Sequence, residues 1–286
     1  MQRLSLFLAA LTVSTFGTVA SAAPTNSTAN HIVSLGGDVT EIIYALGAQS
    51  KLACVDQTSL YPEAARKLPQ VGYVRTLSAE GILACKPDLV LATQSAGPQA
   101  ALDQLAASHI RIVRVSAEET PDAVLQKIST VAGALGQTAE GQKLQATFRA
   151  TLARTSVDLA KIKDHPRAIF LMAHGPGGAM AAGSGTAAHA MLTLAHAENA
   201  ASAFHGYKPL TAESAVALAP DVIVIDDISL KSLGGMAAFK ARPEIALTPA
   251  AKNGRIATVD TMYILGFGPR TPAAIADLAK AVHAKP

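Results

Sequence analysis

The sequence predicts an α/β fold of two Rossmann-like lobes, each with a central, mainly parallel sheet, joined by one long connector helix. Three observations carry this. Short β-branched or leucine-rich runs alternate with helical patterns along most of the chain. A strand-free stretch from Pro121 to about Lys163 interrupts the alternation near the middle. A segment that precedes the gap returns after it at one constant offset.

Taken in order, Met1–Ala22 reads as a secretory signal peptide. It has Arg3, an apolar run from Leu4 to about Val13 and the small-residue end Ala20-Ser21-Ala22. That run is too short to span a bilayer, and no later segment supplies an unbroken apolar stretch of spanning length. Cys54 and Cys85 lie far from the cleavage site, so no lipid anchor is expected there, and the product is expected to be soluble and periplasmic. The first lobe is expected over residues 23–137, with strands at His31–Leu35, Leu52–Asp56, Leu89–Ala92 and Arg111–Val115. Val39–Leu46 carries a capping-box pattern, with Asp38 as N-cap, Glu41 at the third position and Gly47 as the stop.

The connector is expected over residues 138–163. Leu144, Phe148, Leu152, Leu159 and Ile162 recur at helical spacing over Thr138–Ile162, a helix of roughly 35 Å, before His165-Pro166 ends it. The second lobe follows over 164–286, with strands at Ala168–Ala173, Val222–Asp226 and Arg255–Val259. The repeat pairs Leu77–Leu91 with Leu210–Val224: a hydroxyl N-cap, a short helix, a Pro-Asp turn and a buried strand. A Gly-Tyr pair precedes each copy, Gly72-Tyr73 and Gly206-Tyr207. Two lobes built alike and facing each other leave a cleft, where ligands usually bind.

Composition narrows the function. Twenty-four basic against 21 acidic residues is too even for a dedicated nucleic-acid binder. With 16% charged and 50% apolar residues the chain can fill large cores. Two cysteines make no disulfide framework, though Cys54 and Cys85 leave open one bridge in an oxidising compartment. The glycines of 175–185 fit no dinucleotide or phosphate-loop pattern, and Ser184 is not in a G-x-S-x-G elbow. No paired catalytic constellation is visible, so no enzyme activity is expected. The rival of a different class is a secreted phosphate-ester enzyme using the 175–185 loop.

Three segments narrow the class: Val71–Leu83, Gly206–Glu213 and Leu265–Arg270. From about His31 to the C-terminus the chain resembles the class III substrate-binding proteins of bacterial ABC importers. These segments look like the haem-binding branch, the periplasmic haem-binding proteins of the HmuT, ShuT and PhuT type. The resemblance implies a monomeric carrier of one or two molecules of ferric haem b. It takes haem that has passed an outer-membrane receptor and delivers it to an inner-membrane permease dimer with its ATPase. A siderophore or corrinoid carrier of the same class is the alternative.

The resemblance makes Tyr73 the axial ligand of haem iron. A phenolate is a hard anion suited to ferric iron, and tyrosine ligation of haem has precedent. A free tyrosine titrates near pH 10, so ligation needs help from the metal and a nearby cation. Arg75, two residues on in an extended loop, points the same way and supplies that charge. His174 ends a strand-like run, where α/β ligand residues collect, and the resemblance offers it as ligand to a second haem iron. Tyr207 is expected on the porphyrin face and Lys208 on a propionate. Arg242 is a further propionate candidate, although Lys240–Glu244 departs from the family's Leu-Pro-Gly. Glu80 and Glu213 sit in first helical turns, which the helix dipole alone explains. The resemblance gives them a second role, docking to permease arginines. His189 and His196 fall on one face of a helix-like segment and, with His174 and His205, raise a weaker zinc reading.

Overall fold

The computed structural model describes residues 29–173 and 178–285. The proposed signal peptide and His174 lie outside the described residues. The first sheet contains β1 (Ile32–Leu35), β2 (Leu52–Val55), β3 (Leu89–Thr93) and β4 (Arg111–Val115), in the order β2-β1-β3-β4, with every pairing parallel. Its helices are α1 (Gly37–Ala45), α2 (Ala79–Leu83) and α3 (Gln99–Ala107). Then come α4 (Pro121–Leu135) and α5 (Thr138–Leu159), whose 22 residues span about 33 Å. The long helix ends at Leu159, short of the Ile162 that the apolar spacing suggests.

The second sheet is mixed. It holds β5 (Arg167–Met172), β6 (Met180–Ala182), β7 (Glu198–Asn199), β8 (Tyr207–Pro209), β9 (Val222–Asp226) and β10 (Ile256–Val259). The order is β10-β9-β5-β6-β8, with β7 paired to β5. The pairs β10–β9 and β9–β5 are parallel; β5–β6 and β6–β8 are antiparallel. The helices here are α6 (Ala187–Leu194), α7 (Ala212–Leu218), α8 (Asp227–Ser232), α9 (Gly235–Lys240), α10 (Pro243–Ala246), α11 (Pro249–Lys252), α12 (Thr261–Leu265) and α13 (Thr271–His283). No helix among the described residues is long and apolar enough to cross a membrane.

The inner strands β1, β3, β5 and β9 are nearly continuous apolar runs because both faces are covered. Val222 and Val224 of β9 join one core, and Ile223 and Ile225 join another on the opposite face. The first of these cores is shared by the lobes. Ile32 and Leu91 of the first sheet, Ile128 of α4, Phe148 of α5, Phe170 of the second sheet and Ile275 of α13 belong to it together. The lobes are therefore joined by a packed helical layer as well as by the α4–α5 chain connection. Within that layer Gln145 donates to the Leu125 carbonyl at 2.7 Å, and the Thr155 hydroxyl donates to the Pro272 carbonyl at 3.1 Å. Gly141 lets α5 approach α4: a Cβ there would lie 2.5 Å from Ala132 Cβ.

The repeat holds in three dimensions. Ser78 caps α2, accepting from the Gly81 amide at 3.0 Å. Thr211 caps α7, accepting from the Ser214 amide at 3.1 Å, and Ser214 Oγ accepts in return from the Thr211 amide. Cys54 on β2 and Cys85 after α2 form a disulfide, with Cα atoms 6.2 Å apart.

The capping-box reading of Asp38 and Glu41 is overturned. The N-cap of α1 is Gly36, and no side chain caps it. Asp38 and Glu41 are both buried and spend their charge on distant cations: Asp38 pairs with Lys127 at 2.7 Å and Glu41 with Arg270 at 2.9 Å. The shared helical face of His189 and His196 also fails. α6 stops at Leu194, and His196 adopts a left-handed φ of 58° beyond it.

Candidate binding cleft

A cavity of about 610 Å³ lies between the lobes, within the usual range for small-molecule sites. It opens at the C-terminal edges of the parallel strands, where chain ends and helix starts converge. Gly36, Thr93 and Ala117 follow or end β1, β3 and β4, and Met172 ends β5. The floor is closed by Asp38, Lys127 and the Gly266-Phe267 turn. Gly37 is required there, since a Cβ would come within 2.4 Å of the Thr58 carbonyl oxygen.

Tyr73 enters from the first lobe and Tyr207 from the second. Their side chains are large yet open, with relative exposures of 41% and 39%. Each follows a glycine in the left-handed region, Gly72 at φ 100° and Gly206 at φ 74°. Added Cβ atoms would meet nothing at either glycine, so these residues serve the backbone bend rather than close packing. Arg75 also lines the cleft, although Val74 and Arg75 lie in a turn closed by the Thr76 amide on the Tyr73 carbonyl and not in the extended loop that the spacing argument assumed. The Tyr207 phenol is pushed above the ordinary tyrosine range, first by burial and then by the Glu119 carboxylate; Arg75 opposes that rise from across the cleft. Burial likewise raises the Glu119 carboxyl, against the pull of Lys127.

The structure does not bring two other candidates into the cleft wall. Lys208 follows Tyr207 in β8, so strand alternation turns it to the opposite face, where its ammonium lies 5.1 Å from the Phe204 ring. Arg242 donates from Nε to Glu244 at 2.6 Å and is not among the described residues lining the cavity. Glu80 and Glu213 are both exposed in the first turns of their helices, and neither has an ion-pair partner among the described residues. His189 accepts at Nδ1 from the Asn199 side-chain amide at 3.2 Å, and no cluster among the described residues has the makings of a metal centre.

Two charged groups at the seam escaped the sequence reading. Lys127 is 3% exposed; it donates to Asp38 and, at 3.2 Å, to the Phe267 carbonyl of the C-terminal segment. Arg270 donates from Nε and its backbone amide to Glu41, both at 3.0 Å, and lies over the Tyr61 ring at 3.5 Å and the Tyr263 ring at 4.8 Å. Burial is the first cause raising the Glu41 carboxyl, with Arg270 working against it. Burial also raises the Tyr263 phenol, and its bond to Asp277 at 2.9 Å adds to that. A signal for Lys127 existed: it falls on the apolar stripe of α4 with Val124, Ile128 and Val131.

This architecture is that of a bilobed binding protein, and the chain belongs to the periplasmic binding protein family, whose model matches residues 32–263. Among solved structures it is similar to the periplasmic heme-binding protein RhuT from Roseiflexus sp. RS-1. The identity is 39%, covering 89% of this chain and 98% of that one, with a TM-score of 0.86. It is also similar to the periplasmic heme-binding protein BhuT, solved in complex with two hemes. There the identity is 37%, covering 88% and 97% of the two chains, with a TM-score of 0.84. A vitamin B12-binding protein of Yersinia pestis is 46% identical over 84 residues, 29% of this chain and 30% of that protein.

Proposed function

We propose that this protein is a periplasmic carrier of ferric haem b that delivers its cargo to an inner-membrane ABC permease. The observation that carries the reading is an exposed Tyr73 in the inter-lobe cleft with Arg75 beside it, in a chain whose full-length structural relatives bind haem. Tyr73 presents a phenolate oxygen to the iron. Arg75 lowers the cost of its negative charge and remains within reach of a propionate. Tyr207 covers the macrocycle from the second lobe. His174 offers an imidazole to a second haem. The free carboxylates Glu80 and Glu213, one per lobe and related by the repeat, orient the loaded carrier on permease arginines. Residues 1–22 direct export and are removed.

The partial match to a vitamin B12-binding protein favours one second reading, a corrinoid carrier. Parallel titrations of the exported protein with ferric haem and with cyanocobalamin separate the two. A saturable haem spectrum with a phenolate-to-iron charge-transfer band, and no saturable cobalamin binding, is expected. Saturable binding of cobalamin alone would replace haem with the corrinoid. Haem-independent phosphate-ester turnover by pure protein would instead favour the enzyme reading.

A further inference from the structure

Three of the chain's six methionines, Met172, Met180 and Met262, line the cleft. Two of the others do what methionine ordinarily does: Met191 is fully buried in the shared core, and Met236 packs on the second-lobe core. Met172 ends β5 and Met180 opens β6, and antiparallel pairing sets them directly opposite each other. Residues so paired project from the same face of a sheet. Tyr207 is on that face too, because it pairs with Ala182, two residues along β6 from Met180.

The two walls of the cleft therefore differ in donor chemistry. The first lobe offers a phenol beside a guanidinium. The second offers two partly buried thioethers, Met172 also packing against the shared core, beside Tyr207, whose phenol resists ionisation because it is partly desolvated. A thioether is a neutral, soft donor that suits reduced iron, whereas a phenolate suits the ferric state. A flat iron porphyrin has two open axial positions, one toward each wall.

Building on the haem-carrier reading, we propose that the Met172–Met180 pair is a second iron-binding site that ligates ferrous haem by a thioether sulfur, on the face opposite Tyr73. The cleft then retains its cargo in either oxidation state, exchanging a hard donor for a soft one.

The test is made on the exported protein loaded with ferric haem and then reduced anaerobically with dithionite. The methionine methyl groups are carbon-13 labelled and read by proton–carbon NMR alongside visible absorption. Carbon monoxide is then added to fill the axial position that the phenolate has left, which makes the ferrous iron low-spin; one methionine methyl is expected far upfield, shifted by the porphyrin ring current. That signal should persist in His174→Ala and vanish in Met172→Leu/Met180→Leu. The double variant should also lower the ratio of ferrous to ferric affinity at least tenfold. A carbonyl complex without the upfield methyl, or a ferrous spectrum already low-spin before carbon monoxide and no longer so in His174→Ala, would overturn the proposal and leave the methionines as packing. In both of those cases the ferric phenolate band of the wild-type protein still stands for the carrier reading. Its absence before any reduction would be the failure of that reading instead.

Discussion

The two Gly-Tyr segments are copies of one pattern set in different frames. Tyr73 lies on an irregular turn, held where the Thr76 amide donates to the Tyr73 carbonyl and the Gln57 amide to the Gly72 carbonyl, each at 2.9 Å. Tyr207 lies in a regular edge strand, its position fixed by the ladder to β6. On the turn, Arg75 as well as Tyr73 reaches the cleft. In the strand, the next residue faces away, and Lys208 is lost to the opposite surface. The lesson is that duplicating a motif does not duplicate a site. The cation Arg75 is contributed by the first copy alone, while burial and Glu119 raise the second phenol against the pull of that same Arg75.

Perturbations that act on one lobe, or on the seam between them, sharpen this contrast. The largest effect on stability is expected at the seam. Lys127→Met leaves Asp38 as an unpaired buried carboxylate and should cost about 3–5 kcal/mol in chemical denaturation. A loss under about 1 kcal/mol would mean that water reaches the floor of the cleft. Next comes the disulfide, which belongs to the first lobe alone. Cys54→Ser/Cys85→Ser opens a loop of sequence separation 31 and should remove about 3–4 kcal/mol. Hydrogen exchange should show the loosening concentrated around α2 and β2, and equal loosening of α7 would argue against that assignment. The smallest effect compares the matched caps. Ser78→Ala and Thr211→Ala should each cost about 1 kcal/mol. Thr211 should cost more, because its Ser214 partner loses its place in the capping box as well.

Much of this fold is legible in the sequence, for a physical reason. Five of the seven predicted strands are runs buried on both faces and dense in Ile, Val and Leu or small apolar residues, while the edge strands β4 and β10 are recognisable from their β-branched residues. The three strands that were missed, β6, β7 and β8, are two or three residues long. Met180-Ala181-Ala182 has no β-branched residue, and only long-range pairing makes it a strand. Asp38 and Glu41 mislead because they satisfy a local rule while their partners lie 89 and 229 residues away. The same distance hid Arg270, although its Gly-Phe-Gly-Pro-Arg context was noticed. At the candidate site the sequence led to Tyr73, Arg75 and Tyr207, all of which line the cleft: the Gly-Tyr repeat survives folding, whereas Arg75 reaches the cleft from a turn rather than by the period of an extended loop. It failed for Lys208, because whether Tyr207 stands in a loop or in a strand was not visible.

The central claim is that the first copy holds iron and the second only covers the ring. The direct measurement is a ferric-haem titration of the wild-type protein, Tyr73→Phe and Tyr207→Phe, followed by visible absorption. Tyr73→Phe should abolish the phenolate charge-transfer band and weaken binding at least about a hundredfold, or about 2.8 kcal/mol, while Tyr207→Phe should keep the band. A band that survives in Tyr73→Phe and disappears in Tyr207→Phe would contradict this account.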